Sequence, residues 1–283
     1  MNYLRGDLRD QLAYVGQDVV RTGLVAGSGG NLSARLPDGD SCWVTASGTW
    51  LDRLARTSFV RVRISDGLVL PDQPAGSTRS VAVGDPDRSA AVPGASGVRV
   101  PPSPAAEAVV VAAVPAAGTA DAVPGDGPGP PTGVTPSHGI LPSSEVELHL
   151  AAYRARPDVN AIVHLHPQTV LLLDALGEQI RLVSTDHGFY LRRVARVPFR
   201  PPGTTELAAL AADASRDGTN CLVLSRHGCS VLADSVELAH KRAANLEEAA
   251  RLTYRALAVG RLGELPDLPA EFLARLQGGA TSV

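Results

Sequence analysis

Leu4, Leu8, Leu12, Val15 and Val19 recur at helical spacing, which predicts an amphipathic helix over 4–22 that Gly23 ends. The pattern then shortens. Gly27-Ser28-Gly29-Gly30-Asn31-Leu32-Ser33-Ala34-Arg35 reads as a glycine-rich turn leading into a short strand. Leu36-Pro37-Asp38-Gly39-Asp40 is a hairpin turn, and Cys42 to Thr45 is the return strand. That strand runs into a second small-residue turn, Ala46-Ser47-Gly48-Thr49. Phe59 to Ile64 and Leu68 to Leu70 form a further hairpin across Ser65-Asp66-Gly67.

Regular patterning resumes at Leu141. Ser144 is positioned as the N-cap of a helix with Val146, Leu150 and Tyr153 on one side, ending before Pro157. Ala161-Ile162-Val163-His164-Leu165-His166 reads as a buried strand that Pro167 stops. An apolar helix follows over Gln168 to Leu176, with strand candidates at Ile180 to Val183 and Val194 to Val197. Thr205 is expected to cap a helix through about Arg216, and Ser235 a long one to about Val259. Cys221 to Leu224 and Ser230 to Ala233 are strands across the turn Ser225 to Cys229. Strands arriving in hairpins, with helices between the groups, predict a mainly antiparallel sheet covered by helices.

Composition divides the chain. From Pro71 to Gly139 there is no Leu, Ile, Met, Cys, Lys or aromatic residue, and Pro, Gly, Ala, Ser and Val dominate. Such a segment buries too little surface to offset its ordering entropy. It predicts a disordered insertion over 71–139 within one domain formed by 1–70 and 140–283. Val109 to Val111 would become a strand only by finding a sheet edge. Elsewhere, hydrophobic content of 44% with only 4% aromatics implies an aliphatic core.

Charge and cysteines narrow the function classes. The net charge is −3 and Lys241 is the only lysine, so no basic stripe points to nucleic acid. Cys42, Cys221 and Cys229 form no framework spacing, which argues for reduced thiols and a cytoplasmic protein. Met1 to Asp7 has no apolar signal core, and no apolar run is long enough to cross a bilayer.

The chemistry starts with His164 and His166. Two residues apart on a strand, they point the same way and can grip one metal ion. Alone, the pair reads equally well as two satisfied histidines of a core. His227, where a buried strand opens into a turn, is placed to complete a site. Three neutral imidazoles with an open position suit a catalytic zinc, or a divalent metal of neighbouring affinity. Glu145 stands at a helix start, where a carboxylate normally serves capping; beside a metal it becomes a candidate ligand and general base. His149 shares its helix face and reads as a supporting or packing residue. His138 and His240 read as solvated or structural. The glycine-rich turn at Gly27 to Gly30 is an anion cradle or an ordinary tight turn.

Read together, these pieces resemble the class II aldolase family, which includes sugar-phosphate aldolases, ribulose-phosphate epimerases and the non-enzymatic adducin head domain. The matching motifs are Gly30-Asn31-Leu32-Ser33-Ala34-Arg35, Thr45-Ala46-Ser47-Gly48, Pro142-Ser143-Ser144-Glu145, Val163-His164-Leu165-His166 and His227-Gly228, in the family's order. The pattern is most similar to fuculose-phosphate-type aldolases. The resemblance implies a three-layer α/β fold with a mostly antiparallel sheet between helical layers, and a ring-shaped homotetramer. It implies zinc, one per chain, held by His164, His166 and His227, with Glu145 as the acid/base. It implies that Gly30, Asn31, Ser47, Gly48, Ser143 and Ser144 bind the substrate phosphate. The expected reaction of carbohydrate metabolism is cleavage of a phosphorylated ketose to dihydroxyacetone phosphate and an aldehyde. Epimerases of the family carry Asp where this chain has Glu145 and Asp where Phe189 aligns, so both positions favour the aldolase branch. An epimerase, a decarboxylase of a related sugar acid phosphate, and an adducin-like binding domain are the competing expectations.

Overall fold

The computed structural model describes residues 6–72 and 140–278. Leu4, His138, Val109 to Val111 and almost all of the predicted insertion 71–139 therefore lie outside the described residues.

Helix α1 spans Leu8–Arg21 and begins at Asp7, whose side chain accepts from the Arg9 N–H. Its apolar stripe buries Leu12, Val15 and Val19, as the spacing predicts. Gly23, at φ +71°, turns the chain away. The strands are β1 (Gly30–Arg35), β2 (Ser41–Thr45), β3 (Phe59–Arg63), β4 (Val69–Leu70), β5 (Ala161–Leu165), β6 (Val194–Val197), β7 (Cys221–Leu224) and β8 (Gly228–Ala233). They form one eight-stranded sheet in the order β4-β3-β2-β1-β5-β8-β7-β6. Among the described residues only the β6–β7 pair is parallel. The histidine strand β5 thus lies inside the sheet, paired antiparallel with β1 on one side and β8 on the other.

Alternation along β5 sorts the two faces. Ala161, Val163 and Leu165 face one helical layer, made by α1, α3 (Gln168–Leu176) and α6 (Val236–Ala258). Ile162 faces the other, made by α2 (Val146–Ala155) and α5 (Thr205–Ser215). Both layers are aliphatic, with Leu32, Leu165 and Leu173 among the fully buried side chains of the first. Each such leucine contributes about 1.5–3 kcal/mol by burial. His164 shares the face of Ile162, so it points toward α2, the helix that Glu145 precedes. Helix α3 starts just after Pro167 and lacks a capping side chain of its own. The buried Glu247 of α6 supplies one, accepting from Thr169 N and Oγ1 and from Val170 N.

Several local expectations are corrected. Ser144 is not the N-cap of α2; Glu145 holds that position, with no side-chain cap bond. Ser143 Oγ instead accepts from the Glu145 N–H at 3.3 Å. Thr204, not Thr205, caps α5, accepting from Leu207 N. Ile180 to Val183 is not a strand: its backbone is satisfied by Thr253 Oγ1 of α6 and by Leu268 N. Thr185–Leu191 forms the short helix α4, capped by Ser184. Strand β8 begins at Gly228 instead of Ser230, because Gly228 pairs with Leu224 and Cys229 with Leu165. His240 is buried and lies 3.1 Å from Asp18, a structural histidine as expected. The three cysteines are free and buried, and burial pushes the Cys42 and Cys221 thiols up to about 12. No described helix is long and apolar enough to cross a membrane.

Candidate active site

Two backbone meetings assemble the site from distant sequence. Ala46 bridges Pro142, the Ser143 N–H donates to Thr45 O, and the Ser47 N–H donates to Leu141 O. This delivers Pro142-Ser143-Ser144-Glu145 against the second small-residue turn. The β1–β5 register then sets Asn31 opposite His164. Close approach on both sides of β5 leaves no room for side chains at two glycines. A Cβ at Gly30, where φ is +143°, would lie 2.3 Å from His164 O. A Cβ at Gly228 would lie 2.3 Å from Leu165 O and 2.7 Å from His166 Cδ2.

Glu145, His164, His166 and His227 converge, with one ligand atom from each within 4.8 Å of the others. The three imidazole centroids are 4.8–5.0 Å apart. His164 Nε2 lies 3.1 Å from His166 Nε2 and 3.2 Å from Glu145 Oε2. His227 Nε2 lies 2.9 Å from Glu145 Oε1, yet without hydrogen-bond alignment, so that oxygen has no partner. His164 Nδ1 and His227 Nδ1 are also buried and unpartnered. Two imidazole nitrogens in contact cannot both donate, and orphaned buried acceptors are costly. A cation among the Nε2 atoms and Glu145 relieves the Nε2 contact and takes up the orphaned Oε1, so the donor set fits a zinc-like divalent metal.

Protonation agrees with that use. Burial favours a neutral Glu145, but the imidazoles of His164 and His227 outweigh it and hold the carboxyl below its ordinary range. Burial, then its imidazole neighbours, pushes His166 down to about 4. The cluster therefore presents a carboxylate and a neutral ring near neutral pH. Beside it lies a cleft of about 200 Å³ lined by Gly30, Asn31, Ser47, Gly48, Ser143 and Ser144, with Glu145 and His166 at its wall. Every residue singled out for the phosphate in the sequence lines this one cleft. A larger cavity of about 500 Å³, lined by Val170, Asp174, Arg192 and Arg196 among others, contains none of these histidines.

The structure adds Ser33, Tyr153 and Asp174, which sequence reasoning missed, and gives Asn31 and His149 specific partners. Asn31 has both ends of its amide engaged: Nδ2 donates to Glu145 Oε2 at 2.9 Å, and Oδ1 meets His149 Nε2. His149, Ser33 and Tyr153 continue that network inward. Asp174, buried on α3, braces the turn before His227. Its signal was present in the sequence: a single acid within the apolar run Val170-Leu171-Leu172-Leu173-Asp174-Ala175-Leu176.

Residues 10–254 match the family model described as Class II Aldolase and Adducin N-terminal domain. L-fuculose phosphate aldolase of Methanococcus vannielii is 32% identical over 113 residues, 40% of this chain and 61% of that protein. 3,4-Dihydroxyphthalate decarboxylase of Terrabacter sp. strain DBF63 is 34% identical over 143 residues, 49% of this chain and 59% of that protein. The chain thus spans about 60% of the length of these curated relatives. The crystal structure of YgbL from Klebsiella pneumoniae has a TM-score of 0.65 at 23% identity, covering 95% of this chain and 97% of that one, a likeness of fold. With the family model matched over most of its length and the motifs gathered around one cleft, the chain belongs to the class II aldolase and adducin family.

Proposed function

We propose that this protein is a zinc-dependent lyase that reversibly cleaves a phosphorylated ketose to dihydroxyacetone phosphate and an aldehyde. The observation that carries the reading is the meeting of Glu145 with His164, His166 and His227 beside a cleft of glycines and hydroxyls. His164, His166 and His227 would hold the metal through ring nitrogens, with Glu145 as a further ligand or base. When bound, zinc supplies a Lewis acid that polarises the substrate carbonyl and its neighbouring hydroxyl. The small residues of the cleft bind the phosphate: the Ser47, Ser143 and Ser144 hydroxyls donate to it, and Gly30 and Gly48 let it approach the backbone. Asn31 lines the same cleft. Glu145, ionised and only 8% exposed, is placed to accept and pass on the proton that moves. In cleavage it takes the proton of the hydroxyl on the carbon that becomes the aldehyde and delivers one to the carbon beside the carbonyl of the ketone product; in condensation both transfers run in reverse. Burial around His164 and Glu145 keeps bulk water from competing for that proton. A homotetramer, with sites at subunit boundaries, belongs to the same reading.

A second reading is decarboxylation of an acid substrate. It is favoured by the 34% identity to 3,4-dihydroxyphthalate decarboxylase, as high as to the aldolase. Metal analysis paired with a screen of ketose phosphates for dihydroxyacetone phosphate, and of hydroxylated acids for carbon dioxide, separates the two. Neither product with any substrate would favour an adducin-like binding domain. In the aldolase reading, Glu145→Gln retains the fold and loses turnover by about 10² or more. Undiminished turnover in that variant rejects Glu145 as the base.

A further inference from the structure

We propose that Asn31 and His149 are positioning residues for Glu145, joined with Ser33 and Tyr153 in a buried chain of hydrogen bonds that runs in one direction. The inference rests on Glu145 being the acid/base of the reaction proposed above.

The chain begins at the carboxylate. Glu145 Oε2, in its ionised form, only accepts, so the amide of Asn31 must present Nδ2, at 2.9 Å. That leaves Asn31 Oδ1 toward His149 Nε2, which must donate. A neutral imidazole carries one N–H, so His149 Nδ1 accepts, and Ser33 Oγ donates to it at 2.6 Å. Ser33 Oγ is then free to accept from the Tyr153 hydroxyl at 2.7 Å. Each donor is used once and none is opposed by another. His149 is fully buried and Tyr153 1% exposed, so water cannot take over either role.

The fold sets these groups in a row. Asn31 and Ser33 alternate onto one face of β1, and His149 and Tyr153 lie four apart on one face of α2, the helix that Glu145 opens. His149 in the other tautomer would turn a ring lone pair on Asn31 Oδ1. The amide would then rotate and put its carbonyl oxygen against the carboxylate. The tautomer of a ring two residues removed in the chain of bonds thereby decides whether Glu145 meets a donor or an acceptor. This is the work of partners behind a reacting group, whose loss typically lowers activity about 10- to 100-fold.

The direct test is histidine ¹⁵N NMR of the intact protein at neutral pH, with His149→Gln identifying the resonance. The expected result is a neutral ring protonated at Nε2. A ring protonated at Nδ1, or an imidazolium, overturns the proposal whatever the activity. The second test compares two variants on the ketose phosphate that the wild type cleaves. His149→Gln offers an N–H in place of Nε2 and an oxygen toward Ser33, and should keep kcat within about threefold. His149→Leu should lower kcat about tenfold or more, with KM and metal content close to wild type. Unchanged kcat in His149→Leu, or equal losses in both variants, overturns the proposal; if the leucine variant does not fold, the tautomer decides. A wild-type protein that cleaves no ketose phosphate refutes the aldolase reading alone, since the tautomer is read without substrate.

Discussion

The backbone N–H of Arg226 donates to the buried carboxylate of Asp174 at 2.7 Å. Ser225 Oγ donates to the other oxygen at 3.2 Å, and Arg196 Nε reaches that oxygen at 2.7 Å. Arg226 sits at φ +58°, a conformation that a non-glycine residue adopts only when held. The turn so braced carries His227. Asp174→Ala therefore should weaken metal binding about 10- to 100-fold without unfolding the protein. Competition titration against a chromogenic chelator measures this. An unaltered dissociation constant would show that the turn holds itself.

Each purified chain should carry about one divalent metal, most readily zinc. Single replacement of His164, His166 or His227 by Ala should empty the site, because a catalytic site keeps few spare ligands. Elemental analysis of dialysed protein provides the check. Full occupancy in all three variants would remove these residues from the ligand set.

Acid should destabilise the metal-free protein through His149. Burial pushes this ring down from its ordinary 6.5 to about 3. Between those values the unfolded chain binds a proton that the folded one refuses. Stability is therefore fully present above about pH 6.5 and falls as pH drops toward 3, at up to about 1.4 kcal/mol per pH unit for this one group. Urea unfolding in chelator at pH 7, 6 and 5 should show the difference between wild type and His149→Gln narrowing as pH falls. A difference that does not change with pH would place the titration elsewhere.

The segment 71–139 should be dispensable for folding. Its composition offers almost nothing to an aliphatic core, and a shorter loop costs less to close. A chain joining Leu70 to Leu141 through a short Gly-Ser linker should remain soluble and bind metal. Limited proteolysis of the intact protein gives the first check, with cutting confined to this segment. Insolubility of the shortened chain, or loss of its metal, would show that the segment belongs to the domain.

Much of this architecture was legible in the sequence. The apolar run of β5, the helical stripe of α1 and the hairpin turns each declare themselves locally, and His164 and His166 share a face because a strand alternates. The motifs also named the lining of the cleft. What stayed hidden depends on partners far away in the chain. Ile180 to Val183 has strand composition, but α6 and Leu268 take its hydrogen bonds. Ser144 has the chemistry of a cap, but the bridge from Ala46 to Pro142 turns the backbone so that Glu145 holds that position. Asn31 carries the mark of a phosphate turn, whereas its use of both amide ends is set by a register opposite His164 and by a helix over a hundred residues on. The sequence pattern specifies faces; it does not specify which two faces meet.

Strand β5 has ladders on both sides, and backbone pairing with β1 and β8 positions His164. The backbone hydrogen bonds to β1 and β8 supply the energy that many small metal domains must draw from the ion itself. In the proposed reading, metal uptake would fill a socket that the sheet already frames. Withdrawal of the ion would then change occupancy without dismantling the protein, and an apoprotein kept folded through a period of metal scarcity would recover on resupply with no refolding step between.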